Sequence, residues 1–113
     1  MYMDKRLIDN YPGCYVAVNG SEVVGCTFCD ILRDPTGSPY GYISNVMIKQ
    51  DFRGAKIGER LLRAAVQYLT IAGVPRIWAN VREENEAMVH LFNKSGFARK
   101  IATYELKVDP MGV

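Results

Sequence analysis

Residues 46–58 have the sequence VMIKQDFRGAKIG, in which an apolar run leads into a basic, glycine-bearing loop and then into a helix. Gly54 and Gly58 allow the backbone to come close to a ligand, while Arg53 and Lys56 add positive charge. The N-terminus of a helix presents unpaired N–H groups and the positive end of the helix dipole, so it binds anions, phosphate above all. These residues therefore predict a site for a pyrophosphate group.

The glycine spacing excludes two common phosphate-binding motifs. Neither G-x-x-x-x-G-K-[ST] nor G-x-G-x-x-G occurs in this loop. On spacing alone, the loop is equally compatible with a helix start that carries glycines and solvated basic residues. The segments on either side are needed to decide between the two interpretations.

Upstream of the loop, the sequence predicts an antiparallel meander of three strands. The β-rich runs 14–18 and 22–32 are separated by Asn19-Gly20-Ser21, a signal for a tight hairpin turn. Residues 34–39 are rich in turn formers, and the third predicted strand, 40–48, comes directly after them.

Downstream of the loop, the pattern changes to helix, strand, helix and strand. Apolar residues recur at helical spacing until Gly73 ends the first helix, and they are Ile57, Leu61, Leu62, Ala65, Val66 and Leu69. The fourth predicted strand is 77–81, and Asn85 can cap a second helix that ends at Gly96. Residues 97–108 are predicted to form a closing strand.

Together these elements predict one α+β domain over residues 1–113, with a mixed, mainly antiparallel sheet and two helices. The third and fourth strands are joined by a helical crossover, so they should run parallel. A hydrophobic fraction of 49% in 113 residues is typical of a single folded domain.

Composition also limits the functional classes. A net charge of only +2 offers no general electrostatic basis for nucleic-acid binding. The charged N-terminal ten residues are unlike a secretory signal, and no apolar run is long enough to span a bilayer. We expect a cytoplasmic protein without a membrane partner.

Three cysteines are too few and too separated to predict a metal site or a disulfide framework. Cys26 and Cys29 form a C-x-x-C, but on a strand an offset of three places them on opposite faces. An odd cysteine count fits a reducing compartment. We predict packing cysteines and no metal.

Two segments carry a resemblance to a known family. Residues 48–62 resemble the acetyl-CoA loop of the GNAT family of N-acetyltransferases, whose pattern is Arg or Gln, two residues, Gly, one residue, and Gly or Ala. Residues 85–97, an Asn-initiated helix closed by Gly-Phe, resemble that family's second motif. The two motifs occur in the family's order, and the resemblance covers roughly residues 14–108.

The resemblance implies a GNAT-like fold in which the third and fourth strands splay apart and hold the pantetheine arm of acetyl-CoA between them. It also implies the cofactor contacts. The backbones of Val46, Met47 and Ile48 would pair with the pantetheine amides, Asn85 and Phe92 would line the arm, and the pyrophosphate would be held by N–H groups of Arg53, Gly54, Ala55, Lys56, Ile57 and Gly58. A small-molecule or peptide amine would attack the thioester directly in a ternary complex.

The chain departs from the family pattern at three positions. Lys56 stands where the pattern has its first Gly, Phe92 where many members have a Tyr acid, and Asn45 where many have a Glu base. An amide cannot accept a proton from an ammonium, and phenylalanine has none to donate. Asn45 at the base position, Glu83 as an alternative base and Tyr104 as an alternative acid are the candidate catalytic residues.

The residues before Tyr11 are too few for the strand and two helices with which the family usually begins. A missing first strand would leave a sheet edge, so we expect a possible homodimer. Two alternatives stay open beside an N-acetyltransferase: a non-catalytic acyl-CoA-binding or regulatory module, and a protein-interaction domain whose loop has lost cofactor affinity.

Overall fold

The computed structural model describes residues 2–5, by their backbone, and residues 12–54, 56–101 and 104–108. Its five strands form one sheet in the order β1-β2-β3-β4-β5, and two helices accompany them. The elements are β1 (Tyr2–Lys5), β2 (Cys14–Asn19), β3 (Glu22–Arg33), β4 (Pro39–Ile48), α1 (Ile57–Ile71), β5 (Ile77–Ala79) and α2 (Glu86–Lys94). The predicted α+β class is confirmed.

The first four strands are antiparallel, and the turn signals predicted this for β2, β3 and β4. Asn19 pairs with Glu22 across a two-residue turn in which Gly20 has a φ of 64°. The expectation that the first strand is missing is wrong, since β1 pairs with β2 from Tyr2↔Val18 to Lys5↔Tyr15. This pairing covers the β2 edge that a missing first strand would have exposed. An exposed β2 edge therefore no longer supports the predicted homodimer.

Helix α1 packs its apolar stripe against one face of the sheet. Leu62, Ala65 and Leu69 form a core cluster with Cys29 and Ile43 of the sheet and with Phe92 of α2. A second cluster joins the start of α1 to β2 and β3 and contains Ala17, Val24, Ile57 and Leu61. Both helices therefore lie on the same face of the sheet.

The decisive irregularity of the sheet is a bulge in β4. Phe28 pairs with Asn45 and the next residue of β3, Cys29, pairs with Ile43, so Ser44 has no partner on β3. Such an extra residue bends the strand and re-aims the side chains beyond it. The Ser44 hydroxyl lies 3.3 Å from the Phe28 carbonyl oxygen, to which it donates a hydrogen bond.

Strands β4 and β5 run parallel, as predicted, but their pairing is short. It extends from Gly41↔Ile77 to Ile43↔Ala79 and ends at the bulge. The fourth strand was predicted to continue to residue 81, and that boundary is wrong because β4 turns away after Ile43. The divergence opens a cleft at this end of the sheet.

Two other predictions concern the faces of the sheet on which Cys26 and Cys29 lie and the strand that would close the sheet. Cys26 packs with Cys14, Val16 and Val18, whereas Cys29 belongs to the helix-side cluster, which confirms that they lie on opposite faces. The predicted closing strand is wrong: residues 97–101 and 104–108 have no strand assignment. In the described part of the chain, no helix is both long and apolar enough to cross a membrane.

Candidate functional site

A cleft of about 170 Å³ lies between the diverging ends of β4 and β5. One wall is Ile43–Met47 of β4, the other is formed by the residues directly after β5, and α2 closes one side. Val46 belongs to the helix-side core, while Asn45 and Met47 alternate to the opposite face. Residues that belong to both faces of the sheet therefore line the cleft.

The α2 wall is held in place by its cap. The side chain of Asn85 accepts a hydrogen bond from the Met88 N–H at 3.2 Å, which begins the helix at the mouth of the cleft, as predicted. Phe92, only 7% exposed, lines the cleft and contacts Phe97 edge to face with ring centroids 4.9 Å apart. Met88 and Phe92 of α2 thus form an apolar wall, and the cap residue Asn85 gives it a polar rim.

The loop between β4 and α1 ends in a strained residue. Lys56 has φ 61° and ψ 21°, and among the described residues it is the one non-glycine with positive φ. This conformation costs a residue with a Cβ about 1–2 kcal/mol relative to the right-handed region. Lys56 therefore occupies a position that suits glycine, as its alignment with the family's glycine implied, and its side chain provides no cap to α1.

The backbone N–H groups available for an anion are fewer than the sequence predicted. The N–H of Arg53 donates to the Gln50 carbonyl at 3.2 Å, closing a short 3₁₀ turn over Gln50–Phe52. Among the described residues, Arg60 is the first to donate a backbone hydrogen bond into α1, to the Lys56 carbonyl at 3.2 Å. The N–H groups of residues 57–59 precede it and, as in any helix start, point out of the first turn. The Arg53 side chain is held near the loop by a 3.3 Å hydrogen bond from Nε to the Ile48 carbonyl.

Gly58 brings α1, β4 and α2 together at the inner end of the loop. A Cβ built at this residue would lie 2.9 Å from Cδ1 of Ile48 and 3.2 Å from Cδ2 of Leu91. Gly58 is therefore needed for close packing, and the predicted cofactor residues Ile48 and Ile57 also have their side chains in the core. If these three residues contact a ligand at this helix start, they do so through their backbones.

Acidic charge at the start of α1 is neutralised. Lys94 of α2 lies 3.1 Å from Glu59, and Arg63 lies 3.8 Å from it. The hydrogen bond and charge of Lys94, followed by the charges of Lys56 and Arg63, lower the pKa of the Glu59 carboxyl below its ordinary value. The carboxylate is thus paired with cations, which leaves the helix start favourable to an anion.

The described lining of the cleft contains polar groups that can form hydrogen bonds with a ligand, but none that is suited to act as a base. Among the residues that the structure describes, its lining has no carboxylate and no imidazole. Asn45 lies in the cleft, as its family position implied, and Arg82 adds a guanidinium at the rim. The described residues also include no group of three or more His, Cys, Asp or Glu side chains that could hold a metal ion.

The other candidate catalytic residues are not in the lining of the cleft. Glu83 is exposed and forms an ion pair with Arg99, and Glu84 lies 3.9 Å from Arg82. Tyr104 is 94% exposed in the C-terminal coil. His90, the single histidine of the chain, is exposed on α2. Ala55, one of the predicted cofactor residues, lies outside the described residues.

Among the polar residues, sequence reasoning missed three that line the cleft and one at its edge. Ser44 and Arg82 line it, and so does Asn80, whose Nδ2 donates a 3.0 Å hydrogen bond to the Tyr42 hydroxyl oxygen. A signal for Asn80 was present, since it is the one polar residue in the run Ile77-Trp78-Ala79-Asn80-Val81. A hydroxyl and an amide on adjacent strands can bind a polar ligand together.

Comparison with known proteins agrees with this geometry. The model of the acetyltransferase (GNAT) family matches residues 2–97. N-alpha-acetyltransferase 30 of Schizosaccharomyces pombe is 26% identical over 101 residues, covering 87% of this chain and 66% of that protein. A mycothiol acetyltransferase of Propionibacterium freudenreichii is 32% identical over 67 residues, covering 59% of this chain and 22% of that protein.

Solved structures share the fold. A putative acetyl transferase from Pyrococcus furiosus superposes with a TM-score of 0.76 at 27% identity, covering 84% of this chain and 64% of that one. A NatC complex bound to Gag peptide and CoA also reaches 0.76, at 23% identity and with the same coverage. The chain thus spans about two thirds or less of the length of these relatives.

Proposed function

Since the chain belongs to the acetyltransferase (GNAT) family, we propose that it moves an acetyl group from acetyl-CoA to an amine that attacks the thioester directly while both substrates are bound. The observation that carries the proposal is a cleft between β4 and β5, lined by residues of both sheet faces, beside a basic helix start. One substrate can enter from each face of such a cleft.

On the donor side, the residues fit a long, amide-containing thioester with a charged end. Acetyl-CoA supplies the activated acyl group. The edge of β4 beyond Ile43 carries backbone groups that β5 does not pair, and Val46 and Met47 can offer them to amides. Phe92 and Met88 give an apolar wall, and the N–H groups of residues 57–59 with Lys56 and Arg53 receive the pyrophosphate.

On the acceptor side, the lack of a base among the described residues that line the cleft favours amines that are already neutral near pH 7. A peptide α-amine titrates at about 7.7–8.0 and a lysine side chain at about 10.4, so at pH 7.5 roughly a third of the former but only about 0.1% of the latter is neutral. We infer that a peptide α-amine is a better acceptor than a lysine side chain. The N-alpha-acetyltransferase relative and the peptide-bound NatC complex support this inference.

Cofactor binding is tested by calorimetry with CoA and with acetyl-CoA. Arg53→Glu places an acid at the loop and should weaken binding at least tenfold, through loss of a charge-assisted contact and repulsion of the phosphates. Arg33→Glu is the matched control, because Arg33 pairs with Pro39 at the opposite end of β4. Equal affinities of the two variants would contradict the assignment of the loop.

Turnover is tested by release of the CoA thiol with peptides that carry a free α-amine. The value of kcat/KM should rise with pH and level off near the pKa of the amine, because deprotonation of the substrate limits the attack. Peptides whose α-amines have different pKa values should shift the profile accordingly. A profile that stays fixed when the amine pKa changes would show that the protein supplies a base.

The second candidate is a non-catalytic acyl-CoA-binding module, which the same lack of a base and the Phe92 side chain favour. CoA binding without thiol release from any amine in a broad panel would support it. Absence of CoA binding at millimolar concentration would instead favour a protein-interaction domain. The homodimer stays a prediction that analytical ultracentrifugation can test.

A further inference from the structure

The two faces of the sheet differ in what covers them at the cleft. Ile43 and Ala79, the last paired residues of β4 and β5, face the core that α1 and α2 form. Because side chains alternate along a strand, Tyr42 and Trp78 point to the other face. Asn80, directly after β5, is held beside Tyr42 by a hydrogen bond. In the described part of the chain, α1 and α2 are the only α-helices, and neither lies on that face. We call it the helix-free face.

The Tyr42–Asn80 hydrogen bond lies at the mouth of the cleft on the helix-free face. Asn80 lines the cleft and donates through Nδ2 to the Tyr42 oxygen at 3.0 Å. This bond uses one amide proton of Asn80 and one lone pair of Tyr42. It therefore leaves the Asn80 carbonyl oxygen as an acceptor and the Tyr42 O–H as a donor for a further polar group.

An aromatic wall continues from this pair along the helix-free face. The rings of Tyr40 and Trp78 lie 4.8 Å apart with a 36° tilt, and both residues are half-buried. The Arg76 guanidinium lies 5.4 Å from the Trp78 ring centre and 3.2 Å from Asp34, so its charge is partly balanced. The wall is thus apolar, with a cation at its far end.

We propose that Tyr42 and Asn80 position the acceptor amine at the helix-free mouth of the cleft, and that Tyr40 and Trp78 receive the apolar substituent next to that amine. This inference rests on the proposed acetyl transfer and adds the acceptor class, a primary amine with a bulky apolar substituent. The Asn80 carbonyl oxygen accepts one amine N–H, which directs the nitrogen lone pair into the cleft.

In the transfer itself, the amine nitrogen forms a bond to the acetyl carbon while the bond from that carbon to the CoA sulfur breaks. The nitrogen loses one proton and the departing thiolate gains one, so an amide and free CoA are the products. Tyr42 and Asn80 act as positioning residues in this reaction. They hold the amine and do not change its protonation.

The test uses bisubstrate analogues, so it does not depend on turnover. In these probes the CoA sulfur is joined through an acetyl bridge to the α-amine of a tripeptide that begins with Leu or with Gly. Calorimetry gives the dissociation constant of each probe and of CoA alone for the full chain. The ratio of CoA to probe dissociation constants measures what the acceptor half contributes.

We expect the Leu-led probe to bind at least tenfold more tightly than CoA and several-fold more tightly than the Gly-led probe. Tyr42→Phe and Asn80→Ala should each lower that ratio about three- to tenfold, the effect of one lost hydrogen bond. Trp78→Ala should remove the preference for Leu over Gly. Tyr68→Phe, the same hydroxyl loss on the helix-covered face, should leave all ratios unchanged.

The controls distinguish a failure of the proposed acetyl transfer from a failure of the acceptor site alone. CoA affinity should stay unchanged in Tyr42→Phe, which shows that the donor half of the cleft is intact. If CoA itself fails to bind the wild-type chain, the proposed function fails. If CoA binds but the peptide half adds no affinity, or adds the same affinity in Tyr42→Phe and Asn80→Ala, the acceptor site is overturned.

Discussion

The strained conformation of Lys56 gives a prediction that separates backbone geometry from charge. Lys56→Gly removes both the Cβ and the ammonium, whereas Lys56→Ala removes the ammonium but keeps a Cβ at φ 61°. Because Lys56 provides no side-chain hydrogen bond to cap α1, either change leaves the described capping contacts intact. The comparison of the two variants therefore isolates the backbone strain.

The magnitude comes from two opposing terms. Relief of a left-handed conformation is worth about 1–2 kcal/mol, and the added freedom of glycine in the unfolded chain costs about 0.5–1 kcal/mol. Lys56→Gly should thus raise the free energy of unfolding by about 0.5–1 kcal/mol, or the melting temperature by about 2–5 °C. Lys56→Ala should give no such increase.

Urea denaturation monitored by tryptophan fluorescence measures both variants, with Trp78 as the chain's single reporter. Calorimetry with CoA adds a second reading, in which both variants should lose affinity to a similar extent because both lose the ammonium. If the two variants have the same free energy of unfolding, Lys56 carries no strain and the reasoning fails.

Three further predictions concern packing, pH and capping. Gly58→Ala should lower the free energy of unfolding by about 1–3 kcal/mol, since its Cβ would meet a β4 side chain at 2.9 Å; an unchanged melting temperature would contradict the close packing. Hydrogen bonds from Thr36 and then Ser38 lower the pKa of Asp34 to about 2, below its ordinary 3.8, so this carboxylate stabilises the fold above about pH 4 and the contribution is lost as pH falls towards 2. Acid titrations of the wild type should therefore lose stability more steeply in that window than those of Asp34→Asn, and parallel curves would exclude the effect. Asn85→Ala should cost about 1 kcal/mol in thermal unfolding and weaken CoA binding, whereas Asn93→Ala, later in the same helix, should do neither.

Elements with local signals could be predicted from the sequence. The hairpin at Gly20, the α1 stripe, and the Asn85 cap each depend on residues close together in the chain, and each has the expected place in the structure. Lys56, which stands where the family pattern has a glycine, has a positive φ, because a glycine pattern specifies a backbone conformation and not only a residue type.

Features that depend on distant pairing could not be predicted. The bulge at Ser44 is a relation between β3 and β4, and nothing in the local alternation of β4 reveals it. The hydrogen bond between Asn80 and Tyr42 joins residues 38 apart in the chain. Residues 97–108 were assigned from β propensity, which carries weight only where a neighbouring strand offers a surface to pack against.

The cleft depends on one extra residue in β4. Ile43 and Val46 both face the helices, and Ser44 is the surplus residue that separates them beyond ordinary alternation. Deletion of Ser44 would leave every later side chain of β4 on its present face and would straighten the strand, so that β4 and β5 could continue to pair. A binding site would then become continuous sheet. Among related sequences, position 44 should accordingly tolerate many residue types but not a gap.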